Sequence, residues 1–295
     1  SPASRSHVPF STWTRVEHAA AAVDAASRAK DAWRRAPQAT RSDALVRYPY
    51  RPGMSQHDAP PQRVLSLPGG GYHQHWTRSV AVSPDGAQVF VGVGSQTNHD
   101  VERDIRRAAV LVASPAGDRV RVFASGLRNP VWIAFHPTTR ALFAVVNERD
   151  GLGDDLVPDY LTRVRDGAFY GWPYSYFGAL RDPDHVGERD ALVRRAAVPD
   201  LSLGAHVAAV GLLFPTRGAL GVPRGDAFVA LHGSWNRARP VGYKVVRVRL
   251  ADGVPTSRVE DFVTGWRLPD DTAWGRPVGL VELPDGAVLI ADDES

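Results

Sequence analysis

The sequence predicts an all-β protein of the propeller class preceded by one α-helix, and three observations carry that prediction. After residue 41 no amphipathic helical pattern recurs, so parallel βαβ units with their crossover helices are not expected. Four segments share one layout of a β-rich run, a turn and a second β-rich run. They are "SVAVSPDGAQVFVGVG" from Ser79, "WIAFHPTTRALFAVVN" from Trp132, "GLLFPTRGALGVPRGDAFVALHG" from Gly211 and "VGLVELPDGAVLIADD" from Val278. Their starts lie roughly 50 to 80 residues apart, the spacing of propeller blades that carry inserted loops. A β-sandwich with long loops is the alternative this pattern leaves open.

In chain order, residues 14–36 come first. Val16, Ala19, Ala20, Val23, Ala26 and Trp33 recur at spacings of three and four, and Pro37 stops the run, so this stretch is expected to be a helix. Residues 1–41 are read as an N-terminal helical segment and residues 42–295 as a partial β-propeller domain. Within the second part, Pro84-Asp85-Gly86 and Pro284-Asp285-Gly286 are turn chemistry between paired strands.

Composition narrows the function classes. The 27 Gly and 23 Pro, with 43% hydrophobic residues, suit a turn-rich globular chain. The formal charge of +3 arises from 35 basic and 32 acidic side chains dispersed along the sequence, which argues against a nucleic-acid partner. With no Cys there is no disulfide, thiolate nucleophile or cysteine zinc site. No run approaches about 18 apolar residues, so no membrane span is expected, and residues 1–10 lack the apolar core of a secretion signal.

Two local motifs stand out. In "GLRNPVWIAFHP" (126–137), Arg128 and Asn129 precede a β-rich run and Pro130 stiffens the turn; by itself this reads as a surface turn. "NERDGLGDDL" (147–156) packs Glu148, Asp150, Asp154 and Asp155 with Gly151 and Gly153, a composition suited to oxygen coordination of a hard cation such as calcium. It lacks EF-hand spacing, and a solvated acidic loop is the plain alternative.

From about Ser42 onward the sequence resembles the soluble pyrroloquinoline quinone (PQQ) dependent sugar dehydrogenases, most closely their sorbosone dehydrogenase branch. The resemblance is carried, in order, by "DALVRYPYRPG" (43–53), "HWTRSVAVSPDG" (75–86), "GLRNPVWIAFHP", "NERDGLGDDLVPDYLTRVRDGAFYGWPYSYFG" (147–178), "HGSWNRARPVGYKVVRVRL" (232–250) and "GRPVGLVELPDG" (275–286). It implies a six-bladed propeller of which about four blades are countable here. The first blades of the family would precede Asp43 and its last strands would follow Ala291. Residues 14–45 also weakly resemble the opening helix of an aldehyde dehydrogenase, a helix without chemistry in that family.

The resemblance implies a PQQ and calcium dependent oxidation of an aldose, sorbosone or related sugar, with a periplasmic or secreted location and an unspecified electron acceptor. His75 falls at the family's catalytic histidine, and imidazole suits removal of a hydroxyl proton near neutral pH. Arg128 and Asn129 match residues that hold the quinone ring, and an Arg fork pairs well with carboxylate or quinone oxygens. Arg276 matches one carboxylate-binding arginine; the second falls on Val278, a departure. A family lysine falls near His232, with Asn236, Arg237 and Lys244 as alternative substitutes. Gln96 and Trp76 are expected beside the substrate, while Trp172, Tyr174 and Trp235 are either stacking or core residues. The carbonyls near Asp150 and Gly151 would hold the cofactor-linked calcium, Asp154 and Asp155 a structural one, with Glu148 in the same metal set. Two other readings stay open: a calcium-dependent lactonase using side-chain Glu, Asn and Asp, and a non-catalytic propeller fragment binding protein or carbohydrate.

Overall fold

The computed structural model describes residues 43–48, 60–69, 75, 78–218 and 220–293. The predicted helix at 14–36 and Trp76 therefore lie outside the described residues. The architecture is a radial series of antiparallel sheets, a β-propeller. Strands β1 (Ala44–Arg47) and β2 (Gln62–Ser66) pair with each other. A four-stranded meander follows: β3 (Val80–Val82), β4 (Val89–Val93), β5 (Ala109–Ala113) and β6 (Arg121–Ser125). The next sheet runs β7 (Asn129–Phe135), β8 (Leu142–Asn147), β9 (Pro158–Arg163) and β12 (Leu201–Ala205). Between β9 and β12 lie the small hairpin of β10 (Ser175–Tyr176) and β11 (Leu180–Arg181), and the one-turn helix α1 (Asp190–Val193). A third meander comprises β13 (Ala209–Leu213), β14 (Ala227–Leu231), β15 (Lys244–Ala251) and β16 (Val254–Val263). Strands β17 (Pro277–Glu282) and β18 (Val288–Asp292) form the last pair.

The four repeats read from the sequence are the hairpins β3/β4, β7/β8, β13/β14 and β17/β18. Among the described residues, three of them belong to complete four-stranded sheets. Strands β4, β5 and β14 are buried along their whole length, because each is covered on both faces. The two-residue strand period explains how. Phe143 and Val145 of β8 pack forward with Leu212, Phe214 and Val229 of the third meander. Ala144 and Val146 of the same strand pack backward with Phe90, Val110 and Val112. Leu65 and Leu67 likewise close onto Val91, Val93 and Leu111, and Leu280 onto Phe228 and Val245. The core is thus a row of inter-sheet layers.

Innermost strands approach closely, and glycine permits it. A Cβ on Gly211 of β13 would stand 2.1 Å from the Val278 carbonyl oxygen of β17. The arrangement also fixes where chemistry can gather. First and third strands of each meander begin at the same end at which second strands finish, so the loops there converge.

Candidate functional site

That end holds a cavity of about 310 Å³ lined by His75, Arg128, Asn129, Glu148, Asp159 and His206, together with Asn147, Asp150, Ala208, Trp235 and Asn236. His75 precedes β3, Arg128 and Asn129 open β7, Glu148 follows β8, Asp159 is in β9 and His206 follows β12. Five different strand ends supply it. The first six residues are all buried, whereas Trp235 is 69% exposed at the rim. A buried polar lining of this kind costs free energy unless it is paired or serves a ligand.

His75 is held by Ser95: its Nδ1 lies 2.9 Å from Ser95 Oγ and 3.1 Å from Ser95 O. Burial, with the nearby Arg128 charge next in weight, lowers its pKa to about 3. The imidazole is therefore neutral at pH 7.

Arg128 is a clasp. Its Nε donates to Asn98 O at 2.9 Å, Nη2 to Asn98 Oδ1 at 2.8 Å and Nη1 to Glu148 O at 2.7 Å. One guanidinium thus fastens the loop after β4 to the loop after β8, and its charge reaches the cavity from a fixed place. Asn129 beside it is different. It is 8% exposed, and its Oδ1 has no hydrogen-bond partner. That oxygen is sealed from solvent beside the backbone of Gly94, so its removal from water is uncompensated.

The opposite chemistry is acidic. Asp159 accepts from the main-chain N–H of Glu148 and of Ala208, each at 2.8 Å. Burial raises Glu148 to about 8, with Arg128 opposing and Asp159 reinforcing, and burial raises Asp159 to about 7. Asp159, with two main-chain donors, is the better anion, so Glu148 is the member that keeps its proton at neutral pH. Asp150 is gripped on its carboxylate by Asn236 Nδ2 at 2.7 Å and faces His206 Nδ1 at 3.3 Å. His206 Nε2 meets Gly153 O at 2.9 Å.

Not every expected residue is at the cavity. Gln96 is exposed and uses its main chain to meet Glu102. The Asp150 carbonyl accepts from Asn98 Nδ2 at 3.0 Å and Arg149 Nε at 3.1 Å, which occupies both of its lone pairs. Gly151, with φ of 95°, supplies the turn that follows and does not line the cavity. Asp154 accepts from Ala238 N and Asp155 pairs with Arg237 at 2.9 Å, so both tie the loop at 236–238 to this one. Among the described residues no group of three or more His, Asp or Glu is poised for a metal ion.

His232 pairs with Asp293 at 3.0 Å, and Arg276 donates to Gly233 O at 3.1 Å while lying 5.0 Å from the Tyr243 ring centre. These two share a neighbouring cluster outside the lining. Lys244 pairs with Asp261, and Trp172 and Tyr174 are core residues. Asn147, Asp159 and His206 were not singled out as site residues: Asn147 opens "NERDGLGDDL" and Asp159 lies in the family-like stretch 147–178, but only the convergence of strand ends shows that they and His206 line the cavity.

Comparison with known proteins agrees with this architecture. The TrAA12-like family model matches residues 181–294. An uncharacterized protein of Borreliella burgdorferi is 31% identical over 234 residues, 77% of this chain and 60% of that protein. A pyrroloquinoline quinone-dependent pyranose dehydrogenase of Coprinopsis cinerea is 29% identical over 75% of this chain and 38% of its own. The chain thus spans less than two thirds of the length of these relatives. Among solved structures, the Trichoderma reesei Carbohydrate-Active Enzymes Family AA12 protein in its calcium structure has a TM-score of 0.72 at 22% identity, covering 85% of this chain and 74% of that one. The holo PQQ domain of Coprinopsis cinerea pyranose dehydrogenase gives 0.70 at 23%, covering 85% and 75%. The apo soluble aldose sugar dehydrogenase of Escherichia coli gives 0.63 at 19%, covering 85% and 70%. The chain shares the β-propeller fold of these sugar dehydrogenase domains.

Proposed function

We propose that this chain is the PQQ-dependent oxidoreductase portion of a sugar dehydrogenase, acting on an aldose, sorbosone or related sugar, with His75 as general base. The observation that carries the reading is a neutral, buried His75 sharing one cavity with the fixed Arg128 cation and Asn129. PQQ fits these residues: it is polyanionic and carries quinone oxygens, matching a fixed guanidinium, and the open-rim Trp235 offers a ring face to a planar or sugar ligand. Arg128 and Asn129 are the residues that would hold it. When bound, PQQ supplies the electrophile that accepts hydride from the carbon bearing the substrate hydroxyl.

The chain's own part is narrower. His75 takes the hydroxyl proton, and its burial keeps it unprotonated until a substrate arrives. Arg128 holds positive charge beside the place where negative charge develops, without reorganising, because its guanidinium is already fastened to two loops. Glu148, retaining its proton, presents a hydrogen-bond donor beside Arg128. Calcium does not fit the Asp150 carbonyl, so no step is assigned to it. A periplasmic or secreted location accompanies the reading; no helix among the described residues is long and apolar enough to cross a membrane.

One observation favours a second reading. Asn129, Asn147, Glu148 and Asp159 meet in one cavity, the side-chain types expected of a calcium-dependent lactonase. Dye reduction by the full chain with PQQ and a panel of aldoses, run beside lactone hydrolysis with calcium alone, separates the two. Sugar-dependent dye reduction abolished in His75→Ala supports the dehydrogenase. Lactone hydrolysis without PQQ supports the other.

A further inference from the structure

We infer that Ser95 is a positioning residue for His75, its hydroxyl and main-chain carbonyl together holding the imidazole proton on Nδ1 so that Nε2 carries the lone pair. The inference rests on the proposed role of His75 as base. It follows from the destination of one hydrogen. Ser95 Oγ lies 2.6 Å from Thr97 O, and a carbonyl can only accept, so the single hydroxyl hydrogen of Ser95 is donated there. Toward His75, Ser95 Oγ is therefore an acceptor at 2.9 Å, and Ser95 O is a second acceptor at 3.1 Å. Two acceptors converge on Nδ1, and only a protonated Nδ1 satisfies them. Ser95 is wholly buried at the end of β4, so no water competes for these contacts.

The elements around the ring explain why the second proton is absent. Among the described residues the charges that weigh most on His75 are Arg128 just before β7, Arg78 before β3 and Arg107 before β5, and each disfavours an imidazolium; the carboxyl groups of Glu148, Asp150 and Asp159 line the same cavity. Arg78 also donates to His75 O at 2.8 Å, which fixes the main chain beneath the ring. Ser95 is neutral. It selects which nitrogen is basic without adding the negative charge that a carboxylate at the same place would bring.

The test is a long-range proton–nitrogen correlation spectrum of the full chain labelled with [¹⁵N]histidine, with His75 identified by its loss in His75→Gln. It needs neither PQQ nor turnover. The expected wild-type signal is that of an Nδ1–H tautomer. In Ser95→Ala one acceptor is lost, and the tautomer ratio shifts toward Nε2–H by roughly five- to tenfold, the scale of one neutral hydrogen bond. Ser95→Asp restores Nδ1–H and moves the His75 titration upward. An Nε2–H tautomer in the wild type, or an unchanged ratio in a folded Ser95→Ala protein, overturns the inference. An inactive enzyme with an Nδ1–H His75 leaves Ser95 in its role and removes the dehydrogenase reading.

Discussion

Asp159 accepts the main-chain N–H of Glu148 on Oδ1 at 2.8 Å, which brings two buried carboxyl groups onto one wall of the cavity. Both are raised, chiefly by burial, and their mutual repulsion adds to the rise in Glu148. The folded state therefore binds protons that the unfolded chain has released.

The sign of the resulting pH dependence is fixed. Glu148 rises from 4.5 to about 8 on folding, so its contribution is fully present below pH 4.5 and is lost as pH rises through 8. Melting temperature is expected to fall from pH 6 to pH 9, by a loss on the order of 2 kcal/mol. Glu148→Gln, which keeps size and polarity without titrating, flattens this slope when Tm is followed by circular dichroism. A parallel slope in the variant contradicts the assignment.

His75 tilts stability the other way. Its pKa falls from 6.5 to about 3, so the unfolded chain takes up a proton that the folded chain refuses, and stability declines as pH drops below 6.5 toward 3. His75→Gln removes that acid-side decline in denaturant titrations at pH 4 and pH 7. With PQQ and sugar supplied, the same substitution lowers kcat by about 10²- to 10⁴-fold, the usual contribution of a general base.

Asn129 sets function against stability. Its Oδ1 has no partner, and the residue is 8% exposed. Asn129→Leu is expected to raise the unfolding free energy by about 1–2 kcal/mol, because an uncompensated polar burial is removed, while PQQ affinity falls. Urea unfolding and fluorescence titration of the same sample check both halves; a variant that loses stability and keeps affinity is the opposite outcome.

Packing between sheets makes a prediction remote from the cavity. Gly211→Ala places a methyl against the Val278 carbonyl and the Ala230 methyl, where the ideal distances are 2.1 Å and 3.0 Å. Main chain cannot yield as a side chain does, so a loss of about 2–3 kcal/mol is expected from overpacking. Urea unfolding of this variant beside Gly279→Ala, a β17 position where the added methyl meets only Ala291 at an ordinary 3.6 Å, isolates the close approach.

Much of the fold was legible because its signals are local. The Pro-Asp-Gly turns are where β3 meets β4 and β17 meets β18, with Gly86 at φ 71° and Gly286 at φ 86°. Runs such as "VFVGV" and "AFVAL" are apolar at consecutive positions because both faces are covered, a fact of sheet stacking that the run itself records. The site was legible in part. His75, Arg128, Asn129, Glu148 and Asp150 do meet in one cavity. Asp154 and Asp155, which the family resemblance implies as ligands of a structural calcium, pair with Ala238 and Arg237, a link between loops more than eighty residues apart in sequence. Asp159 and His206 enter the cavity through tertiary convergence alone, and the protonation of Glu148 depends on burial that no short stretch encodes.

Binding of PQQ in this cavity through Arg128 and Asn129 is checked by equilibrium titration of the purified full chain with PQQ. Saturable binding at one PQQ per chain is expected, weakened at least tenfold in Asn129→Leu that circular dichroism shows to be folded. The absence of saturable binding to the folded wild-type protein, with or without added calcium, would contradict it.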